Sequence, residues 1–207
     1  FYDFYKLSSS KFAVSIADVS GKGVPASLLM ALCQTNLRHY VTKNRTPSEV
    51  LKRLNLELEK RIRDDMFITL FLAVIDTQAN SITYARAGHE PSLLGKQTKD
   101  GEFVVSKLHG GGMALGMVPP HLFEEMIEDC ESSFERNDML VLYTDGVTEA
   151  ANSEKEEFGT HRLSELLASS PKSSAKDFNR MLVKQLDEFS AADSERDDVT
   201  LFTVKRV

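Results

Sequence analysis

The sequence has no tryptophan, two cysteines and no apolar run near the roughly twenty residues that cross a bilayer. No signal peptide opens it, so we expect a cytoplasmic protein whose domain makes no membrane contact. Cys33 and Cys130 lie far apart, each within an apolar pattern. This favours two free, buried thiols over a disulfide or metal ligands and fits a reducing compartment.

An excess of positive charge is also lacking, because 25 Lys and Arg face 31 Asp and Glu, a net charge of −6. This gives no general electrostatic reason to bind nucleic acid or an anionic membrane. What is present, 42% hydrophobic and 27% charged residues in a chain of 207, predicts a single globular domain over residues 1–207. Because the chain starts at Phe1 rather than Met, we expect a fragment of a longer protein.

Apolar residues at three- and four-residue steps predict helices over residues 24–43, 47–63, 158–168 and 178–189. Thr46-Pro47-Ser48-Glu49 is a capping box with proline at the first helical position, which fixes the start of the second helix. We expect strands over 11–18, 66–75, 81–87, 91–94, 123–130, 138–145 and 199–204, with loops at 97–102 and 110–120. The last strand is apolar on both faces, which predicts burial.

Strands dominate the middle of the chain and helices the flanks, without regular alternation between the two. The connections between strands have hairpin length. This order favours an α+β fold with mostly antiparallel sheets over a doubly wound fold.

Carboxylates stand at the ends of three predicted strands: Asp18 follows FAVSIA, Asp145 follows MLVLYT, and Asp197 precedes DVTLFTV. If the strands before Asp18 or Asp145 run antiparallel to the strand after Asp197, all three carboxylates reach one sheet edge. Three crowded anions need a cation, and Mg²⁺ or Mn²⁺ takes such oxygen ligands. Aspartates at strand ends are also ordinary turn residues, and that interpretation stays open.

The loop after Asp18 contains Gly21-Lys22-Gly23. The glycines allow a tight turn close to a metal, and Lys22 either contacts a phosphate or is a solvated loop lysine. A nucleotide-binding protein is disfavoured, because the spacing GxxxxGK[ST] and the third glycine of a dinucleotide fingerprint are both absent. A haloacid-dehalogenase-type phosphatase is disfavoured as well, because ADVS lacks the Asp-x-Asp pattern.

Blocks covering nearly the whole chain occur in the order of one protein family: IADVSGKGVPASLLMA, MFITLFLAVID, ARAGHEPSLL, GGMALGMV, LYTDGVTEAANSEKEEFG and RDDVTLFTV. The sequence resembles the metal-dependent (PPM, type 2C-like) protein phosphatases, in their bacterial SpoIIE/RsbU-like branch that regulates sigma factors. The resemblance implies an αββα sandwich of two mostly antiparallel β-sheets flanked by helices, with a two-metal site at one edge.

Matched position by position, the resemblance makes Asp18 the metal-bridging aspartate and Val19 the donor of a backbone carbonyl. Asp145 matches the second aspartate and Asp197 the aspartate of the closing strand. Asp198 falls at a position that the family fills variously and is the weaker candidate.

One family ligand is absent from this chain: the aspartate of a Gly-Asp pair directly before the aromatic pair read here as Phe1-Tyr2. Asp3 aligns after that position and is not expected to replace it. His89, in the AGH block, is either a structural hydrogen-bonding group or a catalytic acid.

The implied activity is hydrolysis of phosphoserine or phosphothreonine by a metal-activated water, with two Mn²⁺ or Mg²⁺ ions and no phosphoenzyme. The implied substrate is a phosphorylated anti-sigma factor antagonist. An upstream sensor or dimerisation segment is expected to form a homodimer and to shift the helices over 24–43 and 47–63. The competing hypothesis, which the missing aspartate keeps open, is an inactive phosphatase-like domain that binds a partner.

Overall fold

The computed structural model describes residues 1–42, 44–62, 65–98, 100–190 and 198–207. Its strands are β1 Tyr2–Lys6, β2 Lys11–Val19, β3 Ile68–Asp76, β4 Ser81–Ala87, β5 Leu93–Gln97, β6 Phe103–Lys107, β7 Cys130–Ser133, β8 Met139–Tyr143 and β9 Leu201–Lys205. Its helices are α1 Val24–Tyr40, α2 Pro47–Glu59, α3 Pro120–Met126, α4 Asp145–Thr148, α5 Gly159–Ala168 and α6 Ala175–Phe189. No helix in these ranges is both long and apolar enough to cross a membrane.

The chain forms two compact units, of which the first combines Phe1–His89 with His109–Phe134. Its five strands form an antiparallel sheet in the order β1-β2-β3-β4-β7. Helices α1 and α2 bury their apolar faces in one core with residues of β2, β3 and β4. The buried positions that α1 and α2 contribute to this core are Leu29, Cys33, Leu37, Val50, Leu51, Leu54 and Leu58.

Local sequence explains where α1 and α2 begin. Gly23, at φ 79°, is the N-cap of α1, and a proline lies in the first turn. At α2 the predicted capping box is present, since Thr46 Oγ1 accepts from Glu49 N (3.4 Å) and Glu49 Oε2 accepts from Thr46 N (2.9 Å). Asp129 adds a second cap, accepting hydrogen bonds from both Ser48 N (2.8 Å) and Ser48 Oγ (2.7 Å). Both predicted helices are confirmed.

The second unit combines Glu90–Leu108 with Glu135–Val207. Its antiparallel sheet has the order β6-β5-β8-β9, and its core is lined by β5, β8, α5 and α6. The central strand β8 is buried at every residue. The edge strand β9 is half-buried along its length, so the burial predicted for 199–204 is only partial.

The predicted fold class, α+β with two antiparallel sheets and flanking helices, is confirmed. The strand predicted over 123–130 is wrong, because residues up to Met126 form α3 and β7 starts only at Cys130. Pro119 and Pro120 at the start of α3 set the backbone for a helix. Phe123 is the single buried residue of α3, so the segment shows no helical period.

Both cysteines are free thiols, as predicted. Cys33 is fully buried in the core of the first unit, and burial raises its pKa to about 12. Cys130 is only partly buried, and burial raises its pKa above the usual value.

Candidate active site

Asp18 lies at the end of β2, half-buried, in register with Thr69 of β3. The chain then turns through Gly21 and Gly23, at φ 91° and 79°, before α1 begins. A Cβ at either glycine would meet no heavy atom within 4 Å, so backbone conformation rather than space requires glycine here. Lys22, between them, is exposed.

A polar network lies beside Asp18 in the same unit. Thr69 Oγ1 is hydrogen-bonded to His89 Nδ1 (2.9 Å) and lies 3.5 Å from the backbone oxygen of Asp18. Arg86 Nη1 donates to the carbonyl of His89 (2.6 Å), and Arg86 Nε and Nη2 donate to the carbonyl of Gly110 (3.1 and 2.8 Å). His89 is 3% exposed, which favours the structural interpretation of this histidine over the catalytic one.

The glycine-rich segment after Leu108 is hydrogen-bonded to the start of β3 and to Gly88, the residue after β4. Gly88 has φ 67°, and a Cβ there would lie 2.8 Å from Ala114 N. Gly88 N donates to the carbonyl of Gly112 (3.1 Å), while Leu115 and Ile68 exchange backbone hydrogen bonds of 2.8 and 3.0 Å. Glycine at position 88 is therefore needed for conformation and for close approach.

In the second unit, Asp145 follows β8 and lies in the first turn of α4, where its Oδ1 accepts from Gly146 N (2.9 Å). The preceding Thr144 is 2% exposed. Its hydroxyl donates to the carbonyl of Asp198 (3.2 Å) and accepts from Thr200 N (3.0 Å). The end of β8 and the start of β9 therefore meet at one sheet edge, as predicted for antiparallel strands.

Burial raises the pKa of Tyr143, the last residue of β8, to about 12. Its hydroxyl donates to the carbonyl of Pro91 (3.0 Å). The phenol thus remains a neutral donor at physiological pH and anchors β8 directly before Asp145.

The structure describes four of the five predicted metal ligands. Asp197 lies outside the described residues, while its neighbour Asp198 is described and exposed. Across the described ranges, no group of three or more His, Cys, Asp and Glu is arranged to hold a metal ion. The donors that the strand ends do offer, carboxylates and backbone carbonyls, are of the kind that Mg²⁺ and Mn²⁺ prefer.

Asp3 is buried and hydrogen-bonded within the first unit. It lies in register with Ser15 in the edge strand β1 and is 7% exposed. Its Oδ1 accepts from Phe4 N (2.9 Å) and from Arg38 Nη2 of α1 (2.5 Å). These contacts give Asp3 a structural role in β1, and the expectation that it is not a metal ligand stays a prediction.

Sequence reasoning missed Thr69, Arg86 and Thr144, which hold the candidate residues in place. Each is an ordinary strand residue in the sequence, and its hydrogen bonds join segments far apart in the chain. Only the position of Thr144 directly before Asp145 marked it.

The fold is shared with solved phosphatase domains. The structure superposes on the SiaA-PP2C domain of Pseudomonas aeruginosa with a TM-score of 0.84 at 21% identity, covering 99% of this chain and 79% of that chain. It also matches RsbX, solved in complex with magnesium, with a TM-score of 0.64 at 16% identity over 98% of this chain and 85% of that chain. The fold is that of the PP2C phosphatase domains, a family that is metal-dependent.

The family follows from the sequence comparison. The model of the Stage II sporulation protein E (SpoIIE) family matches residues 8–207, and the chain belongs to this family. Phosphoserine phosphatase RsbU of Bacillus subtilis is 37% identical over 149 residues, which are 72% of this chain. The match covers 42% of RsbU, so the chain spans less than half of that relative.

Proposed function

We propose that this chain is the catalytic part of a metal-dependent serine/threonine protein phosphatase. The observation that carries the proposal is the joining of β8 and β9 through Thr144, which places Asp145 and the segment at Asp198 at one sheet edge. Membership of the SpoIIE family and the similarity to RsbU support it.

The proposed ligands of Mn²⁺ or Mg²⁺ are Asp18, Asp145 and Asp197, with the backbone carbonyl of Val19 and with Asp198 as the weaker candidate. Two ions are expected in the complete protein. Bound ions of this kind lower the pKa of a coordinated water and offset charge on phosphoryl oxygens. Oxygen donors of the proposed set suit hard cations, and the structural relative RsbX was solved with magnesium.

The other residues of the site have binding and positioning roles in this proposal. Lys22 is exposed beside the end of β2 and offers a positive charge to a phosphate. Thr69, held by His89, supports the backbone at Asp18. Thr144 fixes the chain on both sides of the β8–β9 edge.

The register of β1 supports a further ligand upstream of this chain. Phe1 and Ala17 exchange backbone hydrogen bonds of 2.7 and 2.9 Å, and the pairing is antiparallel. A residue directly before Phe1 that continued β1 would lie opposite Asp18. The aspartate that the family resemblance places there would then stand beside the proposed bridging aspartate.

The proposed substrate is a phosphorylated anti-sigma factor antagonist. RsbU is named as a phosphoserine phosphatase, and the sequence blocks resemble its sigma-factor-regulating branch. A homodimer formed through an upstream segment is part of the same proposal.

The test is hydrolysis of a serine-phosphorylated protein with Mn²⁺, with EDTA, and in an Asp145→Asn variant. The protein used should include the residue before Phe1. Activity that requires both Mn²⁺ and Asp145 supports the phosphatase. Absence of both activity and bound Mn²⁺ refutes it and favours the partner-binding module.

A further inference from the structure

The first turns of α1 expose two large aliphatic side chains. Val24 is 72% exposed and Leu28 is 67% exposed. At 100° per residue they lie on the side of α1 directly opposite its buried positions Ala26, Leu29 and Cys33. Neither side chain therefore belongs to the core.

The large aliphatic side chains on the exposed side of α1 are confined to its first two turns. Farther along the same side of α1 the exposed positions are Ala31 and then the polar residues Thr35, Arg38 and His39. A single exposed aliphatic side chain on a helix is normal, whereas two of them four residues apart are neighbours on one helix face. The two aliphatic residues thus form a local surface, which we call the α1 patch, defined as Val24 and Leu28.

The α1 patch continues directly from the loop that the proposed function assigns to phosphate. Val24 is the first helical residue after Gly23, and exposed Lys22 precedes that glycine. Leu28 lies about 8 Å beyond Gly23 along the helix. An ordinary protein interface covers about 800 Å² on each partner, a disc with a radius of about 16 Å. A folded substrate whose phosphoserine reaches the loop would cover Leu28 as well.

We propose that the α1 patch is the docking surface for the folded phosphoprotein substrate, which places an apolar surface next to its phosphoserine on Val24 and Leu28. The inference rests on the proposed function. It assigns Lys22 to the charged group of the substrate and the patch to the neighbouring apolar surface. Small phosphate esters lack that surface and gain nothing from the patch.

The experiment compares Leu28→Gln and Val24→Gln with Val183→Gln, a control on α6 at a valine that is 46% exposed. Glutamine is a good helix former, so all three variants should fold. Two substrates are used with Mn²⁺: a serine-phosphorylated anti-sigma factor antagonist and p-nitrophenyl phosphate. Binding of the phosphoprotein is measured separately by calorimetry in an Asp145→Asn background, which removes turnover.

We expect Leu28→Gln to raise both KM and Kd for the phosphoprotein about tenfold, as for a buried aliphatic contact in an interface. Hydrolysis of p-nitrophenyl phosphate should stay at the parent rate, and Val183→Gln should match the parent throughout. An unchanged phosphoprotein Kd in Leu28→Gln would overturn the docking surface. So would an equal loss on both substrates, or a change of oligomeric state by sedimentation, which would assign the patch to a second copy.

Failure of the proposed function is distinguishable from failure of the docking surface. If the parent hydrolyses neither substrate and binds no Mn²⁺, the phosphatase is refuted. The calorimetric comparison of Leu28→Gln with Val183→Gln still decides whether the patch binds the phosphoprotein.

Discussion

Replacing Thr144 by valine removes the link between the end of β8 and the start of β9 while keeping the side-chain shape. The lost hydroxyl donates to the carbonyl of Asp198 at 3.2 Å and accepts from Thr200 N at 3.0 Å, at a residue that is 2% exposed. A net hydrogen bond contributes about 1 kcal/mol, and an unpaired buried donor costs about 1–3 kcal/mol. We expect a loss of about 2 kcal/mol of unfolding free energy, or about 4–8 °C in Tm for a chain of this size.

The same variant should weaken metal binding, because the backbone at Asp198 is continuous with the proposed ligand Asp197. If most of the lost free energy had served to hold this segment in place for metal binding, the Mn²⁺ concentration for half-maximal activity should rise about tenfold. A tenfold change corresponds to about 1.4 kcal/mol. The assay is phosphatase rate against Mn²⁺ concentration, beside a thermal melt. At saturating Mn²⁺ the rate should recover most of its parent value.

Thr203→Val is the matched control. This threonine lies on β9, and its hydroxyl donates to Asn179 Oδ1 of α6 at 2.5 Å. Its loss should lower Tm without changing the Mn²⁺ dependence. The reasoning is refuted if Thr144→Val keeps the parent Tm and Mn²⁺ dependence, or if both variants shift the Mn²⁺ dependence equally.

Three further variants test the first unit. Gly88→Ala should cost about 2–4 kcal/mol in urea unfolding, because φ is 67° and the new Cβ would lie 2.8 Å from Ala114 N; a cost below 1 kcal/mol would contradict the contact. Asp3→Asn weakens the pair with Arg38 and should lower stability by about 1–2 kcal/mol, yet keep Mn²⁺-dependent hydrolysis; loss of that activity would make Asp3 a ligand. Backbone N–H groups of the turn after β3 lower the pKa of Asp76, so its stabilising contribution is present above the usual carboxyl pKa and is lost as pH falls through the lowered one. Urea midpoints of Asp76→Asn should therefore fall less below pH 4 than those of the parent, and parallel curves would count against this.

The helices that carry a clear period were predictable. Residues of α1, α2 and α6 bury one face each, and the capping box at Thr46 fixed the start of α2 as expected. The predicted ends of the first two helices run a few residues too far, because helix ends lack a comparable signal.

Strands with unusual patterns were not predictable. In β1 the buried positions are Asp3 and Tyr5, whereas the aromatic Tyr2 and Phe4 are 54% and 52% exposed. At these positions the polar side chain is buried and the aromatic ones are exposed, the reverse of the usual pattern. The buried carboxylate of Asp3 is tolerated because Arg38 of α1 pairs with it. The short edge strand β6 is exposed at most positions and resembles a loop in sequence.

The candidate site was predictable where chemistry and position coincide. Carboxylates at strand ends stand out in the sequence, and the antiparallel pairing of β8 with β9 brings the end of β8, before Asp145, to the start of β9. Asp18 ends a strand of the first sheet instead, so a common metal site of these aspartates stays a prediction. The supporting hydrogen bonds of Thr69 and Arg86 depend on tertiary contacts. A threonine or arginine within a strand gives no sign of such partners.

The discontinuous first unit has a consequence for synthesis on the ribosome. Its last strand, β7, pairs with β4, and Asp129 caps α2 across the intervening chain. The first unit therefore cannot complete its fold until residues up to Phe134 have been synthesised. By then the β5–β6 hairpin has already emerged from the ribosomal exit tunnel, but its later partner β8 has not. Nascent chains pass through a stage in which both sheets have unpaired edge strands. Such edges are prone to aggregation, so this is the stage at which chaperone binding should matter most.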